Sequence, residues 1–121
     1  MTPSRNLLVF AALNGALGVT LGAFAAHGAS PQVKTLLTTG AQYQLLHAVL
    51  AVACALSSAR TIHLAGWLGA SGGLVFSLAL CALGLLSLSA MGAVAPLGGL
   101  LMLAAWVLLA FAGLRRHRNA G

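Results

Sequence analysis

Not one aspartate or glutamate occurs in the 121 residues of this chain. That absence excludes a carboxylate dyad, a Ser-His-Asp arrangement and a side-chain cage for calcium. It also argues against a small multidrug-type proton antiporter, which the chain matches in size, because proton-coupled pumps commonly hold an acidic residue at membrane depth. Charged residues of either sign make up only 5% of the sequence, and 60% of it is hydrophobic. A soluble domain usually carries about 25% charged residues. A protein this apolar needs lipid as its solvent. There is room for one domain, 1–121, and no more.

The two cysteines, Cys54 and Cys81, both fall inside apolar runs. In an antiparallel layout they sit at different depths, beyond the roughly 7 Å between Cα atoms that a disulfide allows. They read as free thiols filling small core positions. No Cys-x-x-Cys-His motif is present to attach a haem.

What the chain does contain is six Lys or Arg, giving a net charge of +6. These sit at the ends of apolar segments and form no stripe on one face, so nucleic acid is not the expected partner. Basic residues flanking apolar runs are the membrane pattern. Four runs have spanning length, near 7–26, 41–58, 64–88 and 95–114, about 20 residues being needed. Their short connections force antiparallel neighbours. The expected fold is all-α, an integral membrane up-down four-helix bundle. Arg5, Arg60, Arg115, Arg116 and Arg118 share one side and Lys34 alone lies on the other, which by the positive-inside rule places both termini in the cytoplasm. The tail Arg115-Arg116-His117-Arg118 would lie against anionic lipid. His63 and His117 read as surface residues beside arginines. A competing reading takes Arg5, the apolar run and Ala23-Phe24-Ala25 as a signal peptide with a small-residue cleavage site. The run is long for that, and Asn14, Gly15, Gly18 and Gly22 read as packing positions.

Between the first two spans, Ser30 can cap a helix and Pro31 suits its first position. Val33, Leu36 and Leu37 fall on one face, and Gly40 can end the element. The pattern predicts a short interfacial helix at the outer surface. Gly18 and Gly22 are four residues apart, with Asn14 and Ala26 in register. Gly69, Gly73, Ser77 and Cys81 form a second ladder. Small residues let helices approach closely in lipid, within the bundle or between copies. Trp67 fits the interfacial aromatic belt, whereas Trp106, deeper, reads as a core filler. Ala95-Pro96-Leu97-Gly98-Gly99 opens the fourth span. Proline is tolerated in a first turn, and the glycines Gly98 and Gly99 permit tight packing or an irregular, cavity-lining start.

Few polar residues sit at membrane depth. His27 ends the first span. Tyr43, Gln44 and His47 open the second, at helical spacings that place them on one flank, at a depth similar to His27. This candidate cluster has three readings. It hydrogen-bonds itself for structure, it binds a lipid headgroup, quinone or other small molecule, or its two histidines ligate a metal or haem. No third close ligand supports the last, and no metal or cofactor is expected. Asn14, in mid-span, reads as a buried amide that locks helix pairing, with a place in a pathway as the alternative.

Several of these motifs carry a family resemblance: Gly22-Ala23-Phe24-Ala25-Ala26-His27-Gly28; Thr39-Gly40 followed by Tyr43-Gln44 and His47-Ala48; Pro96-Leu97-Gly98-Gly99 followed by Trp106. In this order the chain resembles the small bacterial membrane proteins of domain-of-unknown-function family four-two-three. The resemblance implies a four-helix protein of the bacterial inner membrane with its first span retained, and it implies no activity. In that family the third span tends to carry Phe-Ser-Gly-Ser followed by Tyr. Here Phe76-Ser77 continues as Leu78-Ala79-Leu80-Cys81, so a polar third span is not carried over.

The residues favour a non-enzymatic protein that acts through contacts, either an accessory or scaffold subunit or a lipid-associated bundle. Its expected partners are the bilayer and either a second copy or another membrane protein. The alternatives are a small transporter or channel-like protein for a neutral solute or ion, with Asn14, His27, Tyr43, Gln44 and His47 lining the path, and a membrane-embedded ligand- or haem-binding protein. An embedded enzyme would need a base and a nucleophile within reach, and only His27 or His47 with Tyr43 is at hand.

Overall fold

The computed structural model describes residues 2–120, with side chains through 116. His117 and Arg118, placed against lipid by the sequence, therefore lie outside the described side chains. Four helices follow one another: α1, Arg5–His27; α2, Pro31–Leu56; α3, Arg60–Leu85; and α4, Met91–Ala120. All four are long and apolar enough to span a bilayer. The arrangement is an all-α, four-helix membrane fold.

Each boundary has a local cause. Ser4 caps α1, its hydroxyl accepting from the Leu7 N–H at 3.2 Å, and satisfies one of the free amides of a helix start. The Ser4 N–H also donates to the Ala55 carbonyl at 2.8 Å, tying the start of α1 to the end of α2. Ser30 takes the N-cap position of α2 with Pro31 directly after it, but its hydroxyl makes no capping bond. Ser87, with φ 54°, turns the chain between α3 and α4.

Between the first two spans the structure departs from the sequence expectation. There is no separate interfacial helix ended by Gly40: the helix that opens at Pro31 runs without a break to Leu56. Gly40 is buried inside it, and a Cβ there would lie 3.2 Å from Ser77 Cα. Its lack of a side chain serves close approach to α3 and does not terminate the helix. Val33, Leu36 and Leu37, expected to lie along the membrane surface, converge instead on Gly84 of α3. At about 39 Å by helical rise, α2 exceeds the roughly 30 Å hydrocarbon core, and exposed Lys34 sits on the overhanging end. The fourth helix also starts earlier than expected, so Pro96 falls in its second turn.

Packing follows chain order. α1 packs on α2, α2 on α3 and α3 on α4, with a smaller contact between α1 and α3. The buried positions are mostly alanine and glycine, whereas Leu13, Val19, Val49, Val107 and Leu114 point outward. Large apolar side chains gain little from burial when lipid is the solvent, so close backbone approach sets the interfaces. Both glycine ladders act inside the fold. Gly18 faces Leu45 and Gly22 faces Ala41, while Gly69 and Gly73 face His47 and Gln44. The tightest approach joins α3 and α4: a Cβ on Gly98 would lie 2.6 Å from the Phe76 nitrogen and 2.7 Å from the Gly72 oxygen.

Candidate functional site: a polar relay beside a lateral groove

The polar residues at membrane depth assemble on either side of α2. Toward α1, Asn14 donates from Nδ2 to the Phe10 carbonyl at 3.0 Å, and Gln44 Nε2 donates to Asn14 Oδ1 at 3.1 Å. A carbonyl only accepts, so the Phe10 contact fixes the Asn14 amide and, through it, that of Gln44. Asn14 is 3% exposed and Gln44 1%. Gln44 Oε1 is left buried with no partner among the described residues, a condition that costs on the order of 1–3 kcal/mol.

Toward α4 lies His47, also buried. Its Nδ1 meets the Tyr43 carbonyl at 2.7 Å, and its Nε2 meets Trp106 Nε1 at 3.0 Å. The carbonyl can only accept and the indole N–H can only donate. The pair therefore assigns the Nδ1–H tautomer, with Nε2 as acceptor. The Trp106 ring stands edge-on to the imidazole, with centroids 6.0 Å apart. Gly69 and Gly73 make room for this relay: Cβ atoms there would lie 3.6 Å from His47 Cδ2 and 3.4 Å from His47 Cβ respectively.

Tyr43 and Trp106 are each 45% exposed. Trp106 is thus not the core filler expected. An indole N–H in lipid requires an acceptor, and the one it finds holds it at the protein surface. Tyr43 packs edge-on against Phe76 with centroids 5.3 Å apart. Tyr43, His47 and Thr39 of α2, Phe76 of α3, and Pro96, Gly99, Leu100, Leu103 and Trp106 of α4 line a groove of about 600 Å³. The two glycines opening the fourth span divide the work. Gly98 is pressed against α3, whereas a Cβ on Gly99 would meet nothing within 4 Å, so Gly99 helps leave the groove open.

The predicted cluster is therefore split. Gln44 turns to Asn14, Tyr43 turns to the groove, and His47 links α2 to α4. His27 is exposed at the end of α1 and has no hydrogen bond to the others among the described residues. Both nitrogens of His47 are already engaged. Among the described residues no group of three or more His, Cys, Asp or Glu could hold a metal. His63, expected at the surface, is half-buried, with Nε2 2.6 Å from the Ser57 carbonyl. Sequence reasoning missed Thr39 and Phe76 as groove residues and Trp106 as the partner of His47. The signal for the last was its unspent N–H at spanning depth.

Four apolar helices and a buried relay define a multi-pass membrane protein. The comparisons then place it among its relatives. The family described as "Protein of unknown function (DUF423)" matches residues 21–99. The chain is 33% identical to the UPF0382 membrane protein YwdK of Bacillus subtilis over 92% of this chain and 98% of that one. It is 37% identical to a UPF0382 membrane protein of Haemophilus influenzae, covering 88% and 92%. To the UPF0382 inner membrane protein YgdD of Escherichia coli K12 it is 33% identical, covering 96% and 95%. The chain belongs to this family of bacterial membrane proteins. No solved structure matches it.

Proposed function

We propose that this is a non-enzymatic protein of the bacterial inner membrane, with both termini cytoplasmic, that acts through contacts as a lipid-associated bundle whose working surface is the α2–α4 groove. The observation that carries the reading is the groove itself. It is apolar, it opens sideways between two spanning helices, and the His47–Trp106 bond braces it. Binding sites of this kind are mostly apolar, with a few placed polar groups. The five-to-one arginine and lysine asymmetry supports the orientation, and the naming of a relative as an inner membrane protein supports the location. His47, the one buried histidine among the described residues, is occupied at both nitrogens, which leaves no free base beside Tyr43 among them. The transporter reading draws less support, because Gln44 pairs with Asn14 of α1 while Tyr43 faces the groove, so the polar residues do not line one path.

The test is extraction of the tagged protein from its native membrane in mild detergent, with the stoichiometry of everything retained. Lipid held in constant ratio through extended washing is the expected result. A second membrane protein in constant ratio, with no retained lipid, would replace this reading with that of an accessory subunit.

A further inference from the structure

Resting on the lipid-associated reading, we infer that the groove seats a single phospholipid acyl chain from the leaflet opposite the termini, its carbonyl end near Thr39 and its methyl end stopped by the His47–Trp106 bridge.

The argument is one of depth. His47 lies nine residues from the end of α2 at Leu56, and Trp106 ten residues from Arg116. At about 1.5 Å per residue, both stand roughly 14–15 Å from the side that holds the termini. Half of a hydrocarbon core of about 30 Å is about 15 Å, so the bridge marks the midplane. From there the groove runs only the other way, along α4 as far as Pro96 and along α2 as far as Thr39. Those spans are roughly 15 Å and 12 Å by helical rise. The groove is therefore one leaflet deep.

That length selects the occupant. A partner's spanning helix would need a furrow through both leaflets, about 30 Å long, and the bridge blocks this one halfway. A helix with side chains is also about 10 Å or more across. An acyl chain of one leaflet has the right length and a slimmer section. The polar groups agree with its direction. Thr39 and Tyr43, which both carry hydroxyls, line the groove on the side of the bridge away from the termini, placed to donate to an ester carbonyl. The closed end offers ring faces and the Met102 and Leu103 side chains.

The test uses Trp106 as its own depth gauge. The chain has two tryptophans. Trp67 stacks on Phe10 with centroids 5.1 Å apart, away from the groove, and Trp67→Phe leaves Trp106 as sole emitter. That variant is reconstituted with phosphatidylcholines brominated at shallow, middle or terminal chain positions, titrated from low mole fraction. The expected result is loss of Trp106 emission that saturates at low mole fraction and is greatest for bromines near the chain terminus. Adding Gly99→Phe, which projects a ring into the groove, removes the saturable part. Saturable quenching strongest for shallow bromines would overturn the seating inferred here and leave the lipid-associated reading standing. Quenching that only tracks bulk mole fraction would overturn both. The depth profile decides even if the Gly99→Phe variant fails to accumulate.

Discussion

Gly98 and Gly99 are neighbours on the same helix, and the structure assigns them opposite responses to the same change. A methyl at Gly98 would fall 2.6 Å from the Phe76 nitrogen and 2.7 Å from the Gly72 oxygen. Both are backbone atoms of α3 and cannot rotate aside, so α4 must move outward along its closest contact. Overpacking of this kind costs about 1–3 kcal/mol. A methyl at Gly99 meets nothing within 4 Å. The helix-propensity gain of Gly→Ala, about 1 kcal/mol in water and applying to both sites, cancels in the comparison. Gly98→Ala should therefore be less stable than Gly99→Ala by about 1–3 kcal/mol, a factor of roughly 5 to 150 in the unfolding equilibrium at about 1.4 kcal/mol per decade. Reversible unfolding in mixed micelles, followed by helix content and Trp106 emission, measures it. Equal stability of the two variants would show that α3 and α4 do not meet at Gly72–Gly98, and the groove built on that contact would fall with it.

Other consequences follow from the relay. Trp106→Phe removes the donor to His47 Nε2, and Trp106–His47 coupling in a double-mutant cycle should come out near the 0.6–1.7 kcal/mol found for hydrogen bonds between membrane helices. A cycle showing no coupling would remove the bridge. Asn14→Leu strips Gln44 Nε2 of its acceptor beside an oxygen already orphaned, and should cost about 1–3 kcal/mol in the same unfolding assay. Adding Gln44→Leu should restore much of that loss, because two matched apolar groups leave nothing unsatisfied. A double variant less stable than Asn14→Leu alone would contradict the pairing. Gly40→Leu should disrupt the α2–α3 contact at Ser77, detectable as lower accumulation in the membrane, whereas Gly113→Leu, with open space around it, should accumulate like the wild type.

Hydropathy and charge made the four spans legible, because a bilayer leaves few alternatives for runs this apolar. The glycine spacings were legible too, and Gly18, Gly22, Gly69 and Gly73 all face neighbouring helices within the fold. Gly40 was misread because the same residue type marks a helix end in water and a close crossing in lipid, and only the presence of Ser77 opposite distinguishes the two. The site was half visible. Spacing put Tyr43, Gln44 and His47 on one flank, but Tyr43 and Gln44 lie on opposite sides of His47, about 100° apart around the helix axis. That is enough to send Gln44 to α1 and Tyr43 to the groove. Trp106 was hidden by its distance along the chain: its partner sits 59 residues away, and no local pattern announces a contact of that kind.

The most direct test of the lipid-associated reading is native mass spectrometry of the protein released from mild detergent, comparing wild type with Gly99→Phe and Gly113→Phe. Both glycines lie on α4 with open space around them, and only Gly99 lines the groove. The account predicts a bound-lipid peak in the wild type and in Gly113→Phe that is lost in Gly99→Phe. Lipid retained equally by all three proteins, or by none, would contradict it.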